Sequence, residues 1–252
     1  MNIEIISTIW IRELKRYFRE RGQFLSTIFI SLLWLLIFGI GIGSMRVGRL
    51  SNYQSFIYPG VIGMALLVTS IRSGITIIRD KELGFINFLL IAPVSRSTIL
   101  IGKTMGAITI TLIQGLILLG LSFVVNVGLS LSAVASSIVI MALMSIGLVS
   151  IGQVIASRME SFEGFNMFMS LLIMPMFFLS GALFPIKGLP EWLRILSYLN
   201  PLTYGVDALR IVLIGSDFAV LDLVGDVIIL FFFSLIMQFF ALVAFKKMDI
   251  LP

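Results

Sequence analysis

A chain of 252 residues that is 59% hydrophobic and 12% charged, with a mean hydropathy of +1.11, lies far from soluble domains, where roughly 25% of residues carry charge. It reads as an integral membrane protein with little mass left for a soluble catalytic domain. The absence of cysteine and histidine excludes disulfides, zinc and iron–sulfur ligation and histidine acid–base chemistry, and the net charge of +5 fits loops retained on the cytoplasmic side rather than nucleic-acid contacts.

Residues 2–22 read as an amphipathic helix in the interface. Ile6, Ile9, Trp10, Leu14, Tyr17 and Phe18 recur at helical spacing, with Arg12, Lys15, Arg16 and Arg19 on the other side; the plainer alternative is a basic flank that orients the first span. The apolar run Phe24–Gly43 exceeds the roughly 7–15 residues of a signal-peptide core and reads as a retained anchor. Further runs cover Phe56–Ile78, Ile99–Val125, Leu131–Ala156, Phe165–Phe184 and Val224–Phe245. At about 20 residues per crossing they make six spans, with both termini on one side. Spans three and four are joined by a tight hairpin at Asn126–Ser130. Arg12, Lys15, Arg16, Arg19, Arg21, Arg79, Lys81, Arg96, Lys103, Arg158, Lys246 and Lys247 fall on one side, against Arg46, Arg49, Lys187, Arg194 and Arg210 on the other. The richer side is expected to be cytoplasmic. Gly39-x-x-x-Gly43 and Gly102-x-x-x-Gly106 permit close helix approach, within the chain or between copies.

Between spans two and three, the cluster Arg79-Asp-Lys-Glu-Leu-Gly84 precedes an amphipathic stretch that Pro93 ends, and Ser95 or Ser97 caps the next span. A short helix of this kind suits docking of a cytoplasmic partner; the alternative is a solvated loop. Gly102-Lys103-Thr104 lacks the first glycine of a phosphate-cradling loop and opens a span, so Lys103 is expected to snorkel to the interface. Arg72, about 9 Å inside span two at 1.5 Å per residue, either snorkels or lies near a transport path. Gln114, Gln153 and Gln238 are expected to hydrogen-bond between helices. No intramembrane carboxylate pair suggests a proton relay, which favours an external energy source.

The stretch Leu179–Arg210 is too apolar for an ordinary loop and too broken, at Ser180-Gly181, Pro185, Gly188, Pro190 and Pro201, to cross a bilayer. Broken backbone at membrane depth survives only where protein or a watery cavity satisfies its polar groups. Pro190 opens a short helix Glu191–Leu199. Asn200 caps a second, Thr203–Leu213, ending near Gly215, in which Asp207 and Arg210 can pair. Two such helices make a cap over an exit; a plain extracellular loop is the alternative.

The segments Leu179-Ser-Gly181, Phe184-Pro185, Leu189-Pro190, Trp192-Leu193, Asn200-Pro-Leu-Thr-Tyr204 and Arg210, with Arg79–Gly84, Ala92–Arg96 and Tyr58-Pro-Gly60, resemble the membrane subunits of bacterial and archaeal type-2 ABC exporters, among them daunorubicin-resistance-like multidrug permeases and polysaccharide-export permeases. The resemblance covers nearly the whole chain and implies one transmembrane domain over residues 1–252. That domain is all-α: six spans, an interfacial helix at 1–22, a cytoplasmic coupling helix at 79–96 and a re-entrant external region at 180–215. It implies that Arg79, Asp80, Lys81, Glu82, Gly84, Phe85 and Phe88 sit at the ATPase contact, with Glu82 a charged contact. Ser180, Gly181, Phe184, Pro185, Asn200, Pro201 and Tyr204 would form the external gate. The partners implied are two ATPase subunits, a second permease (identical or not) and membrane lipid, with no nucleic acid. The chain itself would bind no cofactor; ATP and Mg act through the ATPase. The expected function is ATP-driven export of a hydrophobic or amphiphilic substrate (drug, lipid or lipid-linked glycan) across a prokaryotic plasma membrane, with both termini cytoplasmic. The alternatives are an ion-coupled carrier and an intramembrane lipid-modifying enzyme.

Overall fold

The computed structural model describes residues 3–43, 53–84 and 94–248. Arg46, Arg49, Phe85, Phe88 and Pro93 lie outside the described residues, and so do the side chains of Gly39-x-x-x-Gly43. The described elements are helices: α1 (Ile3–Arg19), α2 (Arg21–Gly43), α3 (Tyr53–Arg72), α4 (Ile75–Glu82), α5 (Arg96–Leu119), α6 (Leu131–Arg158), α7 (Phe162–Leu179), α8 (Glu191–Leu199), α9 (Pro201–Ile214) and α10 (Leu223–Lys246), with 3-10 turns at Gly120–Val125 and Ile186–Gly188. Among the described residues, five stretches are long and apolar enough to cross a membrane: α3 with α4, α5 with its 3-10 extension, α6, α7 and α10. α2 adds a shorter apolar stretch, Leu25–Ile37. The chain is a multi-pass membrane protein.

Local chemistry sets the helix starts. Ser95 Oγ accepts from the Thr98 amide at 3.2 Å, Ser130 from Ala133 at 3.1 Å, Ser161 from Gly164 at 3.1 Å, and Asn200 Oδ1 from Leu202 at 3.1 Å. Each satisfies a backbone donor that the first helical turn leaves open. The hairpin between α5 and α6 turns at Asn126, whose φ of 55° is left-handed, a conformation that asparagine tolerates better than most residues.

α3 is the central element and packs on α2, α5, α6 and α9. The Tyr58 hydroxyl donates to the Leu118 and Leu119 carbonyls at 3.0 and 2.7 Å, where α5 gives way to its 3-10 turn. The three mid-span glutamines bridge helices as expected: Gln114 to Thr69, Gln153 to Thr104 at 3.0 Å, and Gln238 to Ser150 at 2.8 Å.

Three expectations change. The second span, expected unbroken over Phe56–Ile78, bends at Ser73-Gly74, where α3 ends and α4 begins. A Cβ on Gly74 would strike the Gly152 carbonyl of α6, and one on Gly152 the Ile71 carbonyl of α3. The bend therefore presses backbone against backbone, which only glycine permits. The fifth span stops at Leu179 rather than Phe184. And α1 does not simply lie in an interface. It packs along α5 with Ile6, Ile9, Glu13 and Tyr17 buried, and Cβ atoms on Gly102 and Gly106 would come within 2.9 Å of Ile9 and 2.7 Å of Glu13. The Gly102-x-x-x-Gly106 pattern thus serves packing within the chain.

Candidate functional site

The cations on the richer side of the charge map meet at one end of the bundle. Asp80, near the end of α4, is only 3% exposed. Its carboxylate takes Arg12 at 2.5 Å, Arg16 at 3.5 Å, and Lys103. Lys103 does not snorkel: it is 2% exposed, also reaches Glu13 at 3.1 Å and approaches the Thr76 carbonyl at 3.4 Å. This node joins α1, α4 and α5 through charge-assisted bonds to the buried Asp80, Glu13 and Lys103, where losing one member costs most.

The neighbouring charges divide by direction. Arg79 turns back to Glu20 at 2.6 Å. Lys81 donates to the Ser157 and Met159 carbonyls at 3.3 and 3.2 Å, closing the C-terminus of α6 as a cation suits. Arg96 does the same for α10 through the Lys246 and Met248 carbonyls at 2.7 and 2.8 Å. Glu82 and Leu83 instead face outward, Leu83 at 73% exposed, and Glu82 has no partner among the described residues. Gly84 follows with φ 67°, and a Cβ there would meet nothing within 4 Å; glycine suits this left-handed position after the helix end.

Beside the node lies a cavity of about 370 Å³ bounded by α1, the α3–α4 bend, α5 and α7. Arg72, at the last residue of α3, is exposed into it. Burial pushes the hydroxyl of Tyr17, on the cavity wall, up to about 12.

At the opposite end, the broken segment is stitched down. Ser180 Oγ donates to the Phe177 carbonyl at 2.6 Å and ends α7. Gly181 follows at φ 71°, and a Cβ there would come within 2.8 Å of Ile186. Gly60 of the Tyr58-Pro59-Gly60 motif faces this turn, where a Cβ would lie 2.6 Å from Ala182. The Tyr53 hydroxyl holds the Leu183 carbonyl at 2.8 Å, Asn200 Nδ2 the Met176 carbonyl at 2.6 Å, and the Tyr204 hydroxyl the Tyr198 carbonyl at 2.6 Å. Pro201 starts α9, Pro185 precedes the 3-10 turn, and Phe184 is 40% exposed. Arg210 is 2% exposed and donates to the Gly181 carbonyl at 2.8 Å. Its guanidinium lies 4.2 Å from the Phe56 ring centre and 3.8 Å from Asp207.

Asp207 also accepts from the Val220 and Leu221 amides at 2.6 and 3.1 Å and has the wholly buried Asp226 of α10 as a close neighbour. This carboxylate pair was not expected, because Asp207 and Asp226 belong to different helices. Nor were the Asp80 node and the Gly74–Gly152 contact, whose partners are far apart in the chain. Lys103, a lysine within a long apolar stretch, was the available signal for the node.

The ABC-2 type transporter family matches residues 4–214. The chain is 33% identical over 221 residues to "Putative transport permease ycf38" of Cyanophora paradoxa, covering 82% of this chain and 76% of that one. It is 28% identical over 218 residues to "Inner membrane transport permease YadH" of Escherichia coli K12, covering 84% of each. With "Probable multidrug ABC transporter permease YbhR" of the same strain it shares 27% over 161 residues, 62% of this chain and 43% of that protein. With a matching span that takes in the α1–α4–α5 node and the stitched turn alike, the chain belongs to the ABC-2 type transporter family.

Proposed function

We propose that this permease subunit works in an ATP-driven exporter. It moves a hydrophobic or amphiphilic substrate (a drug, lipid or lipid-linked glycan) from the cytoplasm or inner leaflet outward across a prokaryotic plasma membrane. Two permeases pair with two separate ATPase subunits, and both termini are cytoplasmic. Hydrolysis of ATP with Mg belongs to the partner. The observation that carries the reading is the sorting of charge on α4: Glu82 and Leu83 face out, while Asp80 is clamped to α1 and α5. A partner gripping the outward residues and the following segment with Phe85 and Phe88 would pull on α4. The node would pass that pull to α1 and the spans as rigid-body motion. Asp80, Arg79 and Lys81 then act from inside the chain, and Glu82 and Gly84 at the contact. The Ser180–Tyr204 region forms the outer gate.

The test is capture of the ATPase by the purified permease, with coupled ATPase activity measured in proteoliposomes. Glu82→Lys, and Gly84→Val at its left-handed φ, should lower capture and coupled turnover at least fivefold while membrane insertion stays normal. Wild-type coupled transport in both variants would refute the assignment of this contact. Transport driven by an ion gradient without ATP would favour a carrier, and turnover by the isolated chain an enzyme.

A further inference from the structure

The cavity at the α3–α4 bend has a surplus of positive charge among the described residues. Arg12, Arg16, Arg79 and Lys103 share three carboxylates. Glu13 is held by Lys103 at 3.1 Å and Arg12 at 3.3 Å, Glu20 by Arg79 at 2.6 Å and Arg16 at 3.9 Å, and Asp80 by Arg12, Arg16 and Lys103. Arg72 is a further cation and has no ion pair or hydrogen bond among the described residues, although it ends an apolar helix and lines the cavity. A guanidinium in such a place is costly unless an anion or water meets it. Its planar fork suits phosphate or carboxylate.

The lining also includes the apolar Ile75, Ala107, Ile110 and Phe162. A free inorganic anion would gain nothing from these side chains, whereas a molecule with an anionic head and an apolar tail uses both. The volume of about 370 Å³ suits a head group and the first part of a tail, at the small end of ligand pockets. We infer that this cavity binds the anionic head of an amphiphile on Arg72, with Arg16 and Arg79 supplying the surrounding positive field and the Phe162 side receiving the tail. The inference rests on the exporter reading only for setting the cavity at the depth of the cytoplasmic head groups.

Native mass spectrometry of the full-length chain in neutral detergent tests it, with phosphatidylglycerol as probe and phosphatidylcholine as zwitterionic control. Wild type should retain phosphatidylglycerol preferentially, and Arg72→Gln should weaken that retention about tenfold, in line with the loss of one charge-assisted contact. Arg72→Lys, which keeps the charge and loses the fork, should fall between. Phosphatidylcholine should not respond. Dodecyl phosphate and inorganic phosphate serve as competitors: displacement by the former alone assigns the site to anionic amphiphiles generally, and displacement by neither to bilayer phospholipid. Equal retention by wild type and Arg72→Gln, or displacement by inorganic phosphate as readily as by dodecyl phosphate, would overturn the inference. Neither ATP nor ATPase enters this measurement. Its failure leaves capture of the ATPase intact, and failure of that capture leaves lipid retention unchanged.

Discussion

Arg210 is the largest wholly enclosed side chain among the described residues, and its surroundings explain why an arginine is tolerated there. One N–H meets the Gly181 carbonyl, the guanidinium face meets Phe56, and Asp207 is near. Arg210→Met should cost about 3–5 kcal/mol, because it strands a buried carboxylate and leaves the Gly181 carbonyl without its donor. Thermal unfolding in detergent measures this, and an unchanged midpoint would mean the contacts carry no net stability. Glycines supply a second comparison at this scale. Gly152→Ala drives a methyl into the Ile71 carbonyl, and overpacking of this kind costs about 1–3 kcal/mol. Gly120→Ala has open space around it at a helical φ of −63° and should change stability by less than about 1 kcal/mol. Equal midpoints for the two alanine variants would remove the argument from backbone contact.

Helices α1, α4 and α5 are held as a unit by the Asp80 node. Asp80→Asn and Lys103→Met should each destabilise by about 3–5 kcal/mol, since each leaves buried charge uncompensated. The double variant should fall short of the sum by about 0.5–3 kcal/mol, as for residues that touch. An additive result would show that the two side chains are energetically independent. Glu82→Lys, by contrast, touches nothing described and should shift stability by no more than about 0.5 kcal/mol, so its effect on partner capture is separable from folding. The difference between neighbours two apart also shows what the sequence discloses. Caps were legible: Ser95, Asn200 and the Pro190 start of α8 depend on residues within one turn. The span cores were legible from apolar length. The inward turn of Asp80 was not, because its partners stand 68 and 23 positions away and a charged run reads locally as exposed. The bend at Ser73-Gly74 was hidden for the same reason: it packs on Gly152, on another helix.

For the molecule as a whole, the two ends of α3 face different tasks. Tyr53, Phe56 and Gly60 seat the broken turn after α7, while Arg72 and the bend border the cavity and the node. The outer helices α7 and α10 leave large apolar side chains such as Leu171, Met174, Phe232 and Phe239 uncovered, as expected where lipid or another subunit takes the place of core. Helices α3 and α7 each touch both candidate regions, α7 through Phe162 and Asn166 at the cavity and through Met176 and Phe177 at the stitched turn, and the Tyr58-Pro59-Gly60 motif lies within α3 itself.

The Gly74–Gly152 contact sets how closely two backbones can run. Hydrogen bonds from the Ser73, Gly74, Thr76 and Ile77 amides run through the bend, so α3 and α4 stay joined there while both pack against α6. A side chain at either glycine would wedge that seam open. The pair is thus a spacer of no thickness, which lets the break in the second span sit flush on its neighbour.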